Sequence, residues 1–195
     1  MTGSPLPNSI KPILKWAGGK RWLLPRLLEL WQLNRESRLV EPFMGSLSVA
    51  LGLQPDRALL NDANIHLANF YHHLQQGLSV TIAGAAAREP EVSSGIERDK
   101  TDGKPFEMKN DRDFYYEMRA RFNQLTREGQ SQTSEAALIF YYLNRTAFNG
   151  LCRFNNSGGF NVPFGRYKTI NYATDFSAYQ IPLQPWEITC GDFET

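Results

Sequence analysis

The chain has 195 residues, of which 42% are hydrophobic and 21% are charged, a composition typical of a globular protein and not of a disordered or fibrous one. No apolar run approaches the roughly 18 residues that a membrane-spanning helix needs, and residues 1–10 lack the charged and apolar regions of a signal peptide. Cys152 and Cys190 are too far apart to indicate a disulfide framework or a metal site. We therefore expect a soluble, cytoplasmic protein that has no metal ion and no membrane partner.

The net charge is only +1, but the charged residues are unevenly distributed. Residues 141–170 contain four Lys or Arg and no Asp or Glu, whereas residues 171–195 contain four acids and no Lys or Arg. A stretch without carboxylates can lie against phosphate groups without repulsion. The same pattern also arises by chance, so on its own it does not identify a nucleic-acid partner.

Short apolar runs alternate with helical segments along much of the chain. Residues 38–42 and 57–62 read as strands, and each is followed by a helix, at 47–53 and 65–76. Residues 186–190 form a third strand candidate. Strands that alternate with helices predict a parallel, doubly wound α/β sheet.

The region between the second and third strands differs in character. Phe114 to Leu125 carries apolar residues at helical spacing after a cap at Asn110 or Asp111, and 136–144 is a strongly apolar helix after Thr133 or Ser134. Residues 89–113 are polar and charged, which predicts a surface excursion.

Three features meet at the carboxyl ends of the first two strands, where open α/β sheets bind ligands. They are the glycine turn at 15–20 (KWAGGK), the turn at 41–46 (EPFMGS) and the carboxylate of Asp62. A carboxylate at this position accepts hydrogen bonds from ribose hydroxyls in nucleotide-binding sheets. The Gly-Gly-Lys sequence does not satisfy the phosphate-loop pattern. Each feature taken alone is equally compatible with an ordinary turn.

Residues 146–166 predict a hairpin with two turns, at Phe148-Asn149-Gly150 and at 157–159. Between the turns lies Arg153, and an arginine can make a bidentate contact with the O6 and N7 atoms of guanine. An aromatic ring such as Phe148 can occupy the space that a base leaves when it is flipped out of the stack. The alternative interpretation is a surface hairpin without a ligand.

The order and spacing of these motifs resemble those of the DNA adenine-N6 methyltransferase family of the GATC-methylating type, in its N-terminal portion. Residues 141–168 are similar to the family signature, in which an aromatic-Asn-Gly-Leu-Cys-Arg hairpin precedes Gly-Phe-Asn-Val-Pro-Phe-Gly. The resemblance implies an incomplete Rossmann-like sheet of the S-adenosylmethionine-dependent methyltransferases, with an inserted helical and β-hairpin DNA-recognition region. The implied cofactor-binding part comprises 1–80 and 171–195, and the implied target-recognition region comprises 81–170.

The resemblance also implies site residues and partners. S-adenosyl-L-methionine is the implied cofactor, double-stranded DNA is the implied partner, and the complete protein is expected to be a monomer. The family pattern has a glycine where this chain has Leu47, and most members have tyrosine where it has Phe148. The residues implied to bind the cofactor are Trp16, Lys20, Glu41, Phe43, Gly45, Asp62, Asp192 and Phe193, and those implied to bind DNA are Lys15, Phe148, Asn149, Leu151, Arg153 and Pro163.

The family's catalytic motif, Asp-Pro-Pro-Tyr, is not present in these 195 residues, which contain no Pro-Pro pair. The nearest string is 161–164 (NVPF), and no catalytic residue is assigned. We expect the chain to be the N-terminal part of such an enzyme and to transfer no methyl group alone. The alternative is an inactive, truncated relative that binds DNA and cofactor. A restriction endonuclease is a more distant reading, and the adjacent pair His72-His73 cannot face one metal ion.

Overall fold

The computed structural model describes residues 10–78, 80, 106 and 108–194. Its sheet has three parallel strands in the order β1 (Leu39–Glu41), β2 (Ala58–Asp62) and β3 (Trp186–Cys190). Ala58 lies opposite Leu39 on one side and opposite Trp186 on the other. The predicted parallel α/β architecture is thereby confirmed for these three strands, and all three carboxyl ends lie at one edge of the sheet.

Two of the helices begin with the capping residues that the sequence predicts. The Asp111 carboxylate accepts a hydrogen bond from Phe114 N at 2.8 Å, and the Thr133 hydroxyl accepts one from Ala136 N at 3.2 Å. The first predicted helix is shorter than expected, because the chain after β1 forms tight turns up to Val49. The helices are α1 (Leu24–Gln32), α2 (Ala50–Leu53), α3 (Ile65–Gln75), α4 (Arg112–Arg127), α5 (Ser134–Thr146) and α6 (Ser177–Leu183).

Helix α3 is the centre of the hydrophobic core. It packs against α5, β3 and α6. The ring of Phe70 stacks on Tyr141 with centroids 5.6 Å apart, and it meets Phe176 edge to face at 6.4 Å. One apolar cluster therefore extends from the sheet into the helices that follow it. Of the predicted excursion at 89–113, most residues lie outside the described part of the chain.

The segment at 147–165 has the shape of a hairpin but does not form a regular β-ladder. Its two sides meet at single antiparallel bridges, Ala147 with Phe164 and Phe154 with Phe160. Pro163 has no N–H to donate, and the backbone turns left-handed at Asn149 and at Gly158. The predicted turns are present, whereas regular strands between them are not.

Helices α1 and α6 are not among the predicted elements. Within the described residues no helix has both the length and the apolar character that a bilayer crossing requires.

Candidate functional site

The carboxylate of Asp62 lies at the carboxyl end of β2 and holds the adjacent turn in place. Its Oδ2 accepts a hydrogen bond from Gly45 N at 3.1 Å, and its Oδ1 accepts one from Asn64 N at 3.0 Å. A carboxylate offers about four lone-pair positions, so two backbone donors leave room for two more. Asp62 is half-buried, and it can therefore receive further hydroxyl donors from a ligand at the sheet edge.

The turn after β1 is in direct contact with the glycine turn at 15–20. Gly45 has φ of +47°, and a Cβ atom there would lie 3.0 Å from Cδ1 and Nε1 of the Trp16 indole. A Cβ atom on Gly19 would lie 3.1 Å from the Ser48 hydroxyl. The indole thus rests on bare backbone, and two motifs that are separate in the sequence form one surface beside Asp62.

Leu47 occupies the position where the family pattern has glycine. Its backbone is left-handed, with φ of +57°, and its side chain is fully buried. A non-glycine residue in this region costs about 1–2 kcal/mol, and burial of a leucine side chain offsets a cost of that size. The turn therefore has at Leu47 the left-handed backbone conformation that glycine adopts most easily.

The outer rim of the sheet edge is aromatic. Phe43 and Phe193 are 70% and 55% exposed, and their rings meet edge to face with centroids 5.0 Å apart. Asp192 lies beside them and accepts a hydrogen bond from Glu194 N at 3.1 Å. Lys20 lies on the exposed side of the glycine turn, where its Nζ donates to the Gly18 carbonyl. The rim can offer ring faces and charged groups to a ligand.

Glu41 is the last residue of β1 and leads into the turn. Its side chain accepts a hydrogen bond from Ala50 N–H at the start of α2, and burial raises the pKa of the carboxyl from its ordinary 4.5 to about 7. Its Oε1 is buried and has no hydrogen-bond partner among the described residues. The Glu41 carboxyl therefore connects the start of the turn to α2, and its role in cofactor binding stays a prediction.

Asn61, for which the sequence predicts no role of its own, joins the ends of all three strands. Its Nδ2 donates to the Gly191 carbonyl at 3.0 Å and to the Pro42 carbonyl at 3.3 Å, and its Oδ1 accepts from the Thr189 hydroxyl at 2.9 Å. The sequence feature that could have indicated this role is the position of Asn61, whose amide side chain directly precedes the acid that ends the strand. Asn61 fixes the spacing of the strand ends that present the site.

Lys15 is held by the C-terminal end of α5. The Lys15 N–H donates to Asn144 Oδ1 at 2.8 Å, and Asn144 Nδ2 donates to the Lys15 carbonyl at 2.7 Å. Its Nζ lies 4.1 Å above the Tyr167 ring and donates to the Arg145 carbonyl at 3.3 Å. A Cβ atom on Gly150 would lie 2.5 Å from the Lys15 side chain, so only glycine permits this approach.

A cleft of about 440 Å³ separates the glycine turn from the hairpin. Residues 15–17 line one wall and residues 149–152 line the other. Burial raises the pKa of the Cys152 thiol to about 11, so this side chain is neutral at pH 7. The cleft brings the predicted DNA-contacting residues Lys15, Asn149 and Leu151 next to Trp16.

The outward face of the hairpin carries the other predicted contacts. Phe148 and Leu151 are 48% and 39% exposed, and Arg153 is exposed as well. The Arg153 Nε donates to Asn161 Oδ1 at 2.9 Å, which orients the guanidinium and leaves its two terminal nitrogens directed at no acceptor among the described residues. Pro163 is also exposed. This face can present a cation beside apolar side chains to a nucleic acid.

The basic residues of 141–170 do not all face solvent. The Arg145 guanidinium donates to the carbonyls of Asn171 and Ile13, and burial lowers its pKa. Arg145 is therefore a structural residue, whereas Arg153, Arg166 and Lys168 are exposed.

Two backbone carbonyls of the string at 161–164 already accept hydrogen bonds within the protein. The Val162 carbonyl accepts from the Tyr115 hydroxyl at 2.8 Å and from Arg119 at 3.1 Å. The Pro163 carbonyl accepts from Phe148 N at 2.9 Å. Because these carbonyls already bond to the protein, the geometry favours a structural role for the string.

Comparison with known proteins agrees with this arrangement of motifs. The profile of the D12 class N6 adenine-specific DNA methyltransferases matches residues 16–195. The chain is 36% identical over 188 residues to a DNA adenine methylase of Haemophilus influenzae, covering 94% of this chain and 57% of that protein. It is 39% identical over 158 residues to a DNA adenine methylase of Vibrio cholerae, covering 81% and 49%. It is 32% identical over 160 residues to the Type II methyltransferase M1.LlaDCHI of Lactococcus lactis, covering 82% and 49%.

The chain spans about half the length of the curated relatives that it matches. The match nevertheless covers the site described above from Trp16 to Phe193, and Lys15 directly precedes it. The chain belongs to the family of D12 class N6 adenine-specific DNA methyltransferases.

Proposed function

We propose that this chain supplies the cofactor-binding and DNA-reading parts of an adenine-N6 DNA methyltransferase that acts on duplex DNA containing GATC. Residues 1–80 and 171–195 hold S-adenosylmethionine, and 81–170 recognise the DNA. The observation that carries the proposal is that Gly45 contacts both Asp62 and Trp16, and that Trp16 also lines a cleft whose other wall is the hairpin.

The residues at the sheet edge fit a nucleoside cofactor. Asp62 retains acceptor capacity for two ribose hydroxyls, and the Trp16 indole lies beside it as a flat apolar wall, a surface that suits a sulfonium group. Phe43 and Phe193 offer exposed ring faces at the rim for an adenine, next to the carboxylate of Asp192. Lys20 pairs with the cofactor's carboxylate. When bound, S-adenosylmethionine supplies an activated methyl group.

On the DNA side, Arg153 reads a guanine and Asn149, Leu151 and Pro163 contact neighbouring bases. Phe148 enters the space that a flipped adenine leaves, and its ring is half exposed in the turn at the base of the hairpin. Lys15 connects the two halves, since it lines the cleft next to Trp16 and is clamped by Asn144.

A second candidate is a protein that binds DNA and cofactor without transferring the methyl group. The carbonyls of Val162 and Pro163 favour it for residues 1–195, because both already accept hydrogen bonds from the protein, as the carbonyls of a structural segment do.

Fluorescence anisotropy with labelled duplexes tests the DNA half. Arg153→Ala should weaken binding to a GATC duplex by about 1–3 kcal/mol and relax discrimination at one guanine–cytosine pair only. The matched control is Arg127→Ala, an exposed arginine at the end of α4, which should bind as the unaltered chain does. An equal loss on every sequence, with a shallower salt dependence, would make Arg153 a phosphate contact and refute base reading.

A further inference from the structure

The start of α3 is tied to Asp62, the carboxylate proposed to hold the cofactor. Asn64 N donates to Asp62 Oδ1 at 3.0 Å. The Asn64 side-chain oxygen accepts from His66 N at 3.1 Å and from Leu67 N at 3.3 Å, so Asn64 is the N-cap of α3. The position of the first turn of α3 therefore depends on the position of Asp62.

The same turn also contacts the hairpin. Asn64 Nδ2 donates to Cys152 Sγ at 3.6 Å, and the His66 ring stacks on Phe154 with centroids 5.0 Å apart and planes 15° apart. These two contacts join segments that are 88 residues apart in the sequence.

Residues 151–155 alternate between two faces, as an extended segment does. Leu151 and Arg153 are exposed, whereas Cys152 and Phe154 are half-buried and rest on α3. The inward residues of this segment are thus held by α3, and the outward residues are those proposed to meet the bases.

His66 stacks on Phe154 as an uncharged ring. It is buried between Phe154 and Phe122, whose centroid lies 4.6 Å away. Burial lowers the pKa of the imidazole to about 4, so the ring is neutral at physiological pH. A neutral, enclosed ring can stack without the desolvation penalty that a charged one would carry.

We propose that Asn64 and His66 are positioning residues that couple cofactor binding at Asp62 to base reading by Arg153. The inference rests on the proposed function, because it takes Asp62 as a cofactor ligand and Arg153 as a base contact. A ligand on Asp62 restrains the turn from Asp62 to Asn64, and the two contacts transmit that restraint to the hairpin. By linkage, the cofactor then tightens DNA binding and DNA tightens cofactor binding by the same factor.

The test measures anisotropy of a labelled GATC duplex with the 195-residue chain, with and without saturating S-adenosylhomocysteine as the cofactor probe. The unaltered chain should bind the duplex about fivefold more tightly or better when the probe is present, as couplings between sites commonly do. The probe's own affinity is measured separately by calorimetry.

Three variants locate the coupling. Asn64→Ser keeps a capping oxygen but is too short to reach Cys152, and His66→Leu removes the stacked ring; both should abolish the tightening. Their affinity for the probe alone should stay within about twofold, the scatter expected of an uncoupled site. His66→Phe keeps a stackable ring and should retain the coupling. His72→Leu, at an exposed position on the same helix, is the matched control.

The outcomes separate this inference from the proposed function. If the unaltered chain binds probe and duplex but shows no coupling, or if Asn64→Ser and His66→Leu keep it, the inference is wrong and the proposed function stands. If the chain binds neither ligand, both are wrong. A parallel loss of both affinities and of thermal stability in Asn64→Ser and His66→Leu would show a merely structural role and also overturn the inference.

Discussion

Replacement of Glu41 by glutamine tests whether the carboxyl group at the start of the ligand-facing turn is buried. The folded protein holds a proton on Glu41 up to a pKa of about 7, whereas the unfolded chain loses it at the ordinary 4.5. Between these values the folded state binds more protons than the unfolded state, so this group's contribution to stability is greatest below pH 4.5. The free energy of unfolding falls as the pH rises through the window from 4.5 to 7.

The size of the effect follows from the difference between the two pKa values. Between pH 5 and pH 8, Glu41 should lower the free energy of unfolding of the unaltered chain by about 2.5 kcal/mol. Glutamine keeps an oxygen that can accept from Ala50 N–H but does not ionise. The unfolding free energy of Glu41→Gln minus that of the unaltered chain should therefore rise by about 2.5 kcal/mol between these pH values.

Urea denaturation, followed by circular dichroism at a series of pH values, measures this difference in unfolding free energy. The contributions of the other titrating groups cancel, because both proteins contain them. Glu36→Gln, at an exposed position before β1, is the control and should show a difference that does not change with pH. If Glu41→Gln behaves as that control does, the Glu41 carboxyl is solvated and the account of the turn is wrong.

Three further changes test other parts of the structure. Asn144→Ala should lower the unfolding free energy by about 1–3 kcal/mol, because it removes the side chain that pairs with the partly buried N–H and carbonyl of Lys15; an unchanged thermal melt would contradict the clamp. Gly45→Ala should weaken S-adenosylhomocysteine binding in calorimetry, because the added Cβ atom would lie 3.0 Å from the Trp16 indole. Gly129→Ala is the control, since Gly129 also has a positive φ but has open space around it, and its affinity should not change. Equal affinities of the two variants would exclude the close packing of Gly45 on Trp16. At concentrations where light scattering detects self-association of the unaltered chain, Leu33→Lys should reduce it, because Leu33 is 82% exposed; unchanged scattering would exclude this surface as its cause.

The part of the site at the sheet edge could be predicted from the sequence because it depends on a general property of parallel sheets. Their carboxyl ends meet at one edge, so a glycine turn after one strand and Asp62 after the next must lie close together. The strands themselves agree with the predicted ones to within one residue at each end. Helix α1 was also open to prediction, since its leucines recur at helical spacing and Pro25 is tolerated in a first turn.

The contacts between the two halves of the site could not be predicted in this way. The Asn144–Lys15 clamp joins residues 129 apart, and the contact from Asn64 to Cys152 joins residues 88 apart. Such pairs leave no periodic signal, because each side chain reads locally as a cap or a helix end. The left-handed Leu47 and the buried carboxyl of Glu41 likewise follow from tertiary packing that overrides local preference.

Calorimetric titration of S-adenosylhomocysteine into the 195-residue chain and its Asp62→Ala variant tests the central claim most directly. Loss of a carboxylate that accepts from two ribose hydroxyls should cost about 2 kcal/mol or more in binding free energy. Asp56→Ala, at an exposed position just before β2, should bind the ligand as the unaltered chain does. Thermal melts of both variants establish that they are folded. If folded Asp62→Ala binds with unchanged affinity, the cofactor does not lie at the carboxyl ends of these strands, and the proposed site is wrong.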